Sequence, residues 1–309
     1  MSENITTTSH GDFDSVFHEV VLPVPVVLTS GGQLRLFHMK LRNGKFTPSD
    51  LKTILYCNIG EYVFSRARLE NFKISGNAHS VGAQAIRILN KSGSPDVKGT
   101  GAELGEMLLY SFLEQKLNAP KLMSRVELST DAKQYNSACD SIHLLTSGAS
   151  GLPYHQVVFG ASNIVGDLTY AIDGAFESIL RIENNEESEL HMVDSLILDR
   201  LATDEEIELA RSIFLPSPEA SAPYNTSYGV FLGYTLGLNA ANYPLGQYPT
   251  IVEEKMQADI QHNVDYILAK IRDNNLGMHS FYFYILPFDD AEDEKKSIME
   301  AVLKGEVDL

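Results

Sequence analysis

The chain has 309 residues and a formal net charge of −17, with 41 acidic and 24 basic residues. We find no apolar stretch near the roughly 20 residues needed to cross a membrane and no signal peptide, which argues against a membrane protein. The two cysteines, Cys57 and Cys139, make neither a disulfide framework nor a zinc site. A reducing, cytoplasmic location is the simplest interpretation.

The N-terminal part is expected to combine a β-hairpin with a helix. Apolar runs at Val20–Leu28 and Leu34–Met39 flank the turn sequence Ser30-Gly31-Gly32, which predicts the hairpin. Thr47 is a good N-cap before a proline at the first helical position, so a helix is predicted from there to about Phe64.

The central part shows a clear order of elements. Apolar residues at helical spacing predict a helix over 103–117, which Pro120 stops. Three strands and another helix are predicted next, at Leu122–Leu128, Ala138–Leu145, His155–Ala161 and Asp167–Leu180. Helix, three strands and helix is the order of an α/β core with a mixed central sheet.

The C-terminal part is predicted to add helices and two further strands to that sheet. The helices are expected at 186–199, 204–214, 251–273 and from Ala291, and the strands at Gly229–Leu236 and Ser280–Pro287. The expected organisation is therefore a disordered segment at 1–12, an N-terminal β/α elaboration at 13–98, and an α/β core with its extension at 99–309.

Charge is polarised along the chain. Residues 31–133 hold fifteen Lys and Arg against nine Asp and Glu, whereas 183–208 hold ten acids against one Arg and 289–309 hold eight acids against three Lys. A basic part of this kind suits a DNA phosphate backbone, with residues such as Lys121 and Arg125 as candidate contacts. The acidic segments suit either a protein partner or plain solvation.

Four positions are candidates for metal-dependent chemistry. Asp140 stands just before an apolar strand, where an unpaired carboxylate would be costly, and Glu106 lies in the first turn of the helix at 103–117. Ala161 and Asn163 stand two apart on the next strand and therefore share a face. The alternatives are that Asp140 is a turn residue and that Glu106 is a solvated charge near the helix start.

The histidines give no metal-binding pattern along the chain. His143 should face away from Asp140 and is interpreted as a packed or hydrogen-bonding residue. The other histidines considered, His18, His38, His79 and His155, are scattered without metal-ligand spacing.

Four motifs in order carry a resemblance to a known family. They are Gly105–Tyr110, Asn118–Leu122, Asp140–His143 and Phe159–Asn163, and the similarity is clearest over 99–181. Together they resemble the HamA family, the nuclease subunits of Hachiman anti-phage defence systems, which work with a helicase. That family is similar to the PD-(D/E)XK nucleases.

The resemblance implies a PD-(D/E)XK-type core and metal-dependent DNA cleavage. It implies that Glu106 is the helix acid and Asp140 the strand acid of a Mg²⁺ site. Ala161 then stands where the second metal-binding carboxylate belongs, and Asn163 where the lysine belongs. No lysine occurs between Lys133 and Lys255 to replace it locally. The chain as written is therefore expected to have little or no nuclease activity.

Two explanations of Ala161 stay open from the sequence. It is either an introduced substitution on a natural background with Asn163, or a natural feature of a degenerate family member. The resemblance implies restraint by the helicase and release onto DNA during infection. The alternative functions are a non-catalytic subunit that binds DNA or a partner, and an interaction protein unrelated to nucleic acid.

Overall fold

The structure is a computed structural model that describes residues 13–28, 31–91, 99–124, 126, 139–147, 154–185 and 224–308. The strands are β1 (Phe17–Val20), β2 (Gln33–Met39), β3 (Leu41–Arg42), β4 (Lys45–Phe46), β5 (Lys121–Ser124), β6 (Ser141–Ser147), β7 (Tyr154–Ile164), β8 (Tyr224–Thr235) and β9 (Ser280–Phe288). The α-helices are α1 (Phe13–Val16), α2 (Ser49–Cys57), α3 (Ile59–Val63), α4 (Arg66–Ile74), α5 (Val81–Leu89), α6 (Glu103–Leu117), α7 (Leu168–Glu183), α8 (Tyr248–Asp273) and α9 (Ala291–Lys304). Two 3₁₀ turns lie at Ala78–Ser80 and Ala240–Asn242.

Seven of these strands form one mixed sheet in the order β1-β2-β9-β8-β7-β6-β5. The four central strands β2, β9, β8 and β7 run parallel to one another, and the strands at both edges are antiparallel to their neighbours. Every described residue of β9 is buried, as expected for a strand covered on both faces. The predicted α/β class and mixed sheet are confirmed, and β8 and β9 extend the sheet as expected.

Helices cover both faces of the sheet. Helix α6 packs on β7 and β8 and also contacts α9. Helix α7 packs on the same two strands and contacts α8. A Cβ on Gly105 of α6 would lie 2.8 Å from Ser162 Oγ, whereas a Cβ on Gly174 of α7 would lie 2.0 Å from Asn163 Nδ2. Since neighbouring strand residues point to opposite faces, α6 and α7 lie on opposite sides of β7.

The central predictions hold with small shifts in bounds. Helix α6 begins and ends at the predicted residues, and Asn118 follows it in the left-handed conformation, with φ 54°. The three predicted strands are present as β5, β6 and β7, although β7 runs on to Ile164. The expected disorder at 1–12 and the helices expected at 186–199 and 204–214 lie outside the described residues.

Two N-terminal predictions were wrong in detail. The hairpin is present, but its first strand is Phe17–Val20 rather than Val20–Leu28. Pro23 and Pro25 interrupt the later run and cannot donate to a sheet ladder. The helix predicted up to Phe64 is divided at Asn58 into α2 and α3, and the Asn58 side chain donates to Ile54 O at 2.9 Å.

Candidate functional site

Asp140 is held in the plane of the sheet beside β7. Its backbone N–H donates to Gly160 O at 2.9 Å. Its Oδ2 accepts from the backbone N–H and from the hydroxyl of Ser162, each at 2.6 Å. The carboxylate therefore takes the place of a strand carbonyl at the start of β6. These are short, charge-assisted hydrogen bonds, so the carboxylate has a fixed position.

The structure brings Ala161 next to Asp140. Ile142 pairs with Phe159 at the end of the antiparallel β6–β7 register. Asp140 then bonds the residues on either side of Ala161, because its N–H donates to Gly160 O and its carboxylate accepts from Ser162. Ala161 has no solvent exposure, and Asp140 is 9% exposed. A buried methyl group thus occupies the position where the resemblance requires a carboxylate.

Asn163 is engaged with helix α7. Its Nδ2 lies 3.4 Å from Tyr170 O and 3.5 Å from Ala171 O, which are long contacts. Gly174 of α7 faces the same amide and has no Cβ to block it. Asn163 therefore fills space between β7 and α7, and as an amide it offers no positive charge to a phosphate.

Glu106 lies in the first turn of α6, next to Gly105, which packs against β7. Gly105 meets Ser162, the residue that binds Asp140. Any larger residue at Gly105 would collide with the Ser162 side chain. Glu106 Oε2 accepts a hydrogen bond from the Tyr62 hydroxyl at 2.8 Å, which links α6 to α3.

Lys121 does not serve as a DNA contact, although its charge suggested one. It is 2% exposed, and its Nζ donates to the carbonyl oxygens of Glu61, Tyr62 and Phe64 at 2.7, 2.9 and 3.0 Å. It satisfies the last carbonyls of α3 and so holds Tyr62 in place. Arg125, the second suggested DNA contact, lies outside the described residues.

His143 is a buried packing residue, as predicted. Its Nδ1 lies 2.8 Å from Ala119 O, and the ring is fully buried beside Tyr110. Burial lowers the pKa of His143 to about 4, so the ring is neutral at pH 7 and donates from Nδ1.

Two side-chain contacts near the ends of the strands were not predicted from the sequence. Lys295 of α9 donates to Ile164 O at 2.8 Å, which brings a lysine to the residue after Asn163. His18 and His38 pair directly across β1 and β2. Both depend on contacts between segments that are distant in the sequence or separated by a turn, so local spacing gives no signal for either.

The donor atoms at the candidate site do not fit a Mg²⁺ centre of the implied kind. Such centres take carboxylate oxygens from neighbouring strands. Here one strand supplies Asp140, and the opposite strand supplies only the methyl group of Ala161. With one strand carboxylate and no lysine on β7, these residues are suited to stabilising the fold rather than to activating a water molecule.

Fold and site together define a three-layer α/β protein whose mixed sheet carries a fixed carboxylate at the junction of α6, β6 and β7. None of the helices in the described part of the chain has the length and apolar character that a membrane crossing requires. The sequence model of the HamA family matches residues 12–302. The chain belongs to the HamA family and is a Hachiman defence-associated protein. No curated protein matches it.

Proposed function

We propose that this chain acts in a Hachiman anti-phage complex, beside a helicase, as a DNA-binding subunit on a PD-(D/E)XK-type nuclease fold. We also propose that the chain as written does not cleave DNA. The observation that carries the proposal is a rigidly held Asp140 that bonds Gly160 and Ser162, the two neighbours of a buried Ala161 on β7. The strands and one carboxylate of a nuclease-type site are present, whereas the second carboxylate and the lysine are replaced by Ala161 and Asn163.

The order of elements supports the nuclease-type fold. Helix α6, the antiparallel strands β5, β6 and β7, helix α7 and the parallel strand β8 follow one another in the chain and pack together. The HamA family match covers this whole region. Phosphodiester cleavage by such a core needs a metal-activated water, and loss of one metal carboxylate weakens metal binding and water activation together.

Cleavage is tested with supercoiled plasmid, Mg²⁺ or Mn²⁺, and the purified chain, alone and with its helicase and ATP. We expect no nicking by the chain and none by Asp140→Asn. The double variant Ala161→Glu/Asn163→Lys is expected to gain nicking that Asp140→Asn removes again. Because Ala161 is buried, circular dichroism must first show that the double variant is folded. Nicking by the unaltered chain that depends on Asp140 would contradict the proposal.

A second candidate function, a retained nuclease, is favoured by one observation. Lys295 places an ammonium group at Ile164 O, close along β7 to the position that Asn163 occupies. It also pairs with Glu292 at 2.7 Å. If the unaltered chain nicks DNA, Lys295→Met should abolish the activity and Lys296→Met should leave it unchanged.

DNA binding is tested separately from cleavage. The exposed side chains Arg87 and Lys91 belong to the basic part of the chain. The double reversal Arg87→Glu/Lys91→Glu should weaken binding to a short duplex at low salt and reduce its salt dependence. Reversal of Arg272, which is 74% exposed on α8, is the control outside the basic part. No binding by the unaltered chain at low salt would contradict DNA binding. Equal effects of both changes would contradict the assignment of the DNA contact to the basic part.

A further inference from the structure

Two histidines and a glutamate meet at the β1 edge of the sheet. His18 of β1 and His38 of β2 are directly opposite in the antiparallel register, and their ring centroids are 5.0 Å apart. Glu253, near the start of α8, lies with Oε1 3.5 Å from His18 Nε2. One ligand atom from each of the three side chains lies within 4.8 Å of the others.

His38 has the features of a metal-binding imidazole. It is 5% exposed, and its Nδ1 lies 2.7 Å from Met39 O, which fixes the proton on that nitrogen. Its Nε2 therefore carries the lone pair. Among the described residues this buried Nε2 has no hydrogen-bond partner. Metal-binding histidines are typically oriented in this way, with the second ring nitrogen donating to a backbone carbonyl.

We propose that His18, His38 and Glu253 form a site for Zn²⁺ or a divalent ion of similar ligand preference. Two imidazoles and one carboxylate are ligands that Zn²⁺ binds, with a fourth position for water. In a tetrahedral shell with bonds of about 2.1 Å, ligand atoms lie about 3.4 Å apart. The separation of 3.5 Å between His18 and Glu253 already matches this value. The other two separations are at most 4.8 Å, and a small rotation of the exposed His18 side chain shortens its distance to His38.

This site is distinct from the Asp140 junction. Strand β1 is separated from β7 by β2, β9 and β8, which amounts to about 19 Å at the usual strand spacing. The ion binds one side chain from each of β1, β2 and α8. Helix α8 already contacts the residue that follows β1, because Gln257 Nε2 donates to Val21 O at 2.9 Å. Bound metal therefore fastens α8 to the edge hairpin.

The site is tested by titrating Zn²⁺, and in a separate arm Mg²⁺, into the chelator-treated full chain by calorimetry. One Zn²⁺ per chain is expected, undisturbed by excess Mg²⁺. His18→Ala and Glu253→Gln should each weaken binding at least about tenfold. Both side chains are partly exposed, at 62% and 36%, so the fold should tolerate the changes. The matched controls are His262→Ala and Glu254→Gln, which alter exposed residues of the same helix.

Hydrogen exchange locates the ion. Zn²⁺ should slow exchange of the β1 amides in the unaltered chain and not in His18→Ala. Less than one Zn²⁺ per chain, equal affinity in the His18 and Glu253 variants, or protection confined to β6 and β7 would overturn the proposal. The Asp140 variants do not enter this test. The metal site can therefore fail while the proposed function stands, and the proposed function can fail while the metal site stands.

Discussion

The two faces of strands β5 to β7 differ in what stabilises them. The face toward α6 carries hydrogen-bonded polar groups on all three strands, namely Lys121, His143 and the Ser162 hydroxyl that holds Asp140. The face toward α7 is mainly apolar, apart from the bonded pair Thr146 and His155, and ends at Ala161 and Asn163. Buried polar groups are stable only when their partners are fixed. The α6 face thus keeps the specific geometry that positions an acid, whereas the α7 face has the character of ordinary packing.

The largest effect is expected at Lys121. Lys121→Met removes the donor to three carbonyl oxygens at the end of α3, so the free energy of unfolding should fall by about 3 kcal/mol or more. Urea denaturation followed by circular dichroism measures this loss. Lys73→Met is the control, because its ion pair with Glu70 is exposed, and it should change stability by less than about 0.5 kcal/mol. Similar losses in both variants would show that the buried ammonium stabilises the fold no more than the exposed ion pair does.

Much of the frame could be predicted from the sequence, and much of the site could not. Helix α6 was predicted to the residue because its apolar spacing and Pro120 are local signals. Strand β1 was misplaced because the apolar run at 20–28 gave the stronger composition signal, despite its prolines. Glu106 and Asp140 were predicted from ordered motifs, and their role as metal ligands stays a prediction. The Lys295 contact joins residues 131 positions apart, and only packing of α9 against the sheet creates it.

The pH dependence of stability tests the burial of His143 on the α6 face. The pKa of His143 is about 4 in the folded chain, against about 6.5 when unfolded. A lowered pKa means that the unfolded chain takes up the proton first as the pH falls. The contribution of His143 is therefore complete above pH 6.5 and is lost progressively down to about pH 4, by about 3 kcal/mol in all.

The difference between the unaltered chain and His143→Gln isolates this contribution. Burial raises the pKa of Glu294 to about 6, which acts in the opposite direction over the same range, but this effect is common to both proteins. Urea denaturation at several pH values from 7 to 4 should show the stability advantage of the unaltered chain shrinking toward acid. A constant difference would mean that the ring is accessible to protons in the folded state.

The smallest expected effect compares two neighbours on β7. Ser162→Ala removes a 2.6 Å hydrogen bond to the Asp140 carboxylate and should cost about 1–2 kcal/mol. Asn163→Ala removes contacts of 3.4 and 3.5 Å to carbonyls of α7 and should cost less than about 0.5 kcal/mol. Urea denaturation of both variants under one condition gives the difference directly. Equal losses would show that Asn163 is a structural anchor in its own right. A loss in Ser162→Ala alone would show that the hydrogen bond to Asp140 stabilises this part of the sheet and that the Asn163 contacts do not. A lysine at position 163 would then cost little stability.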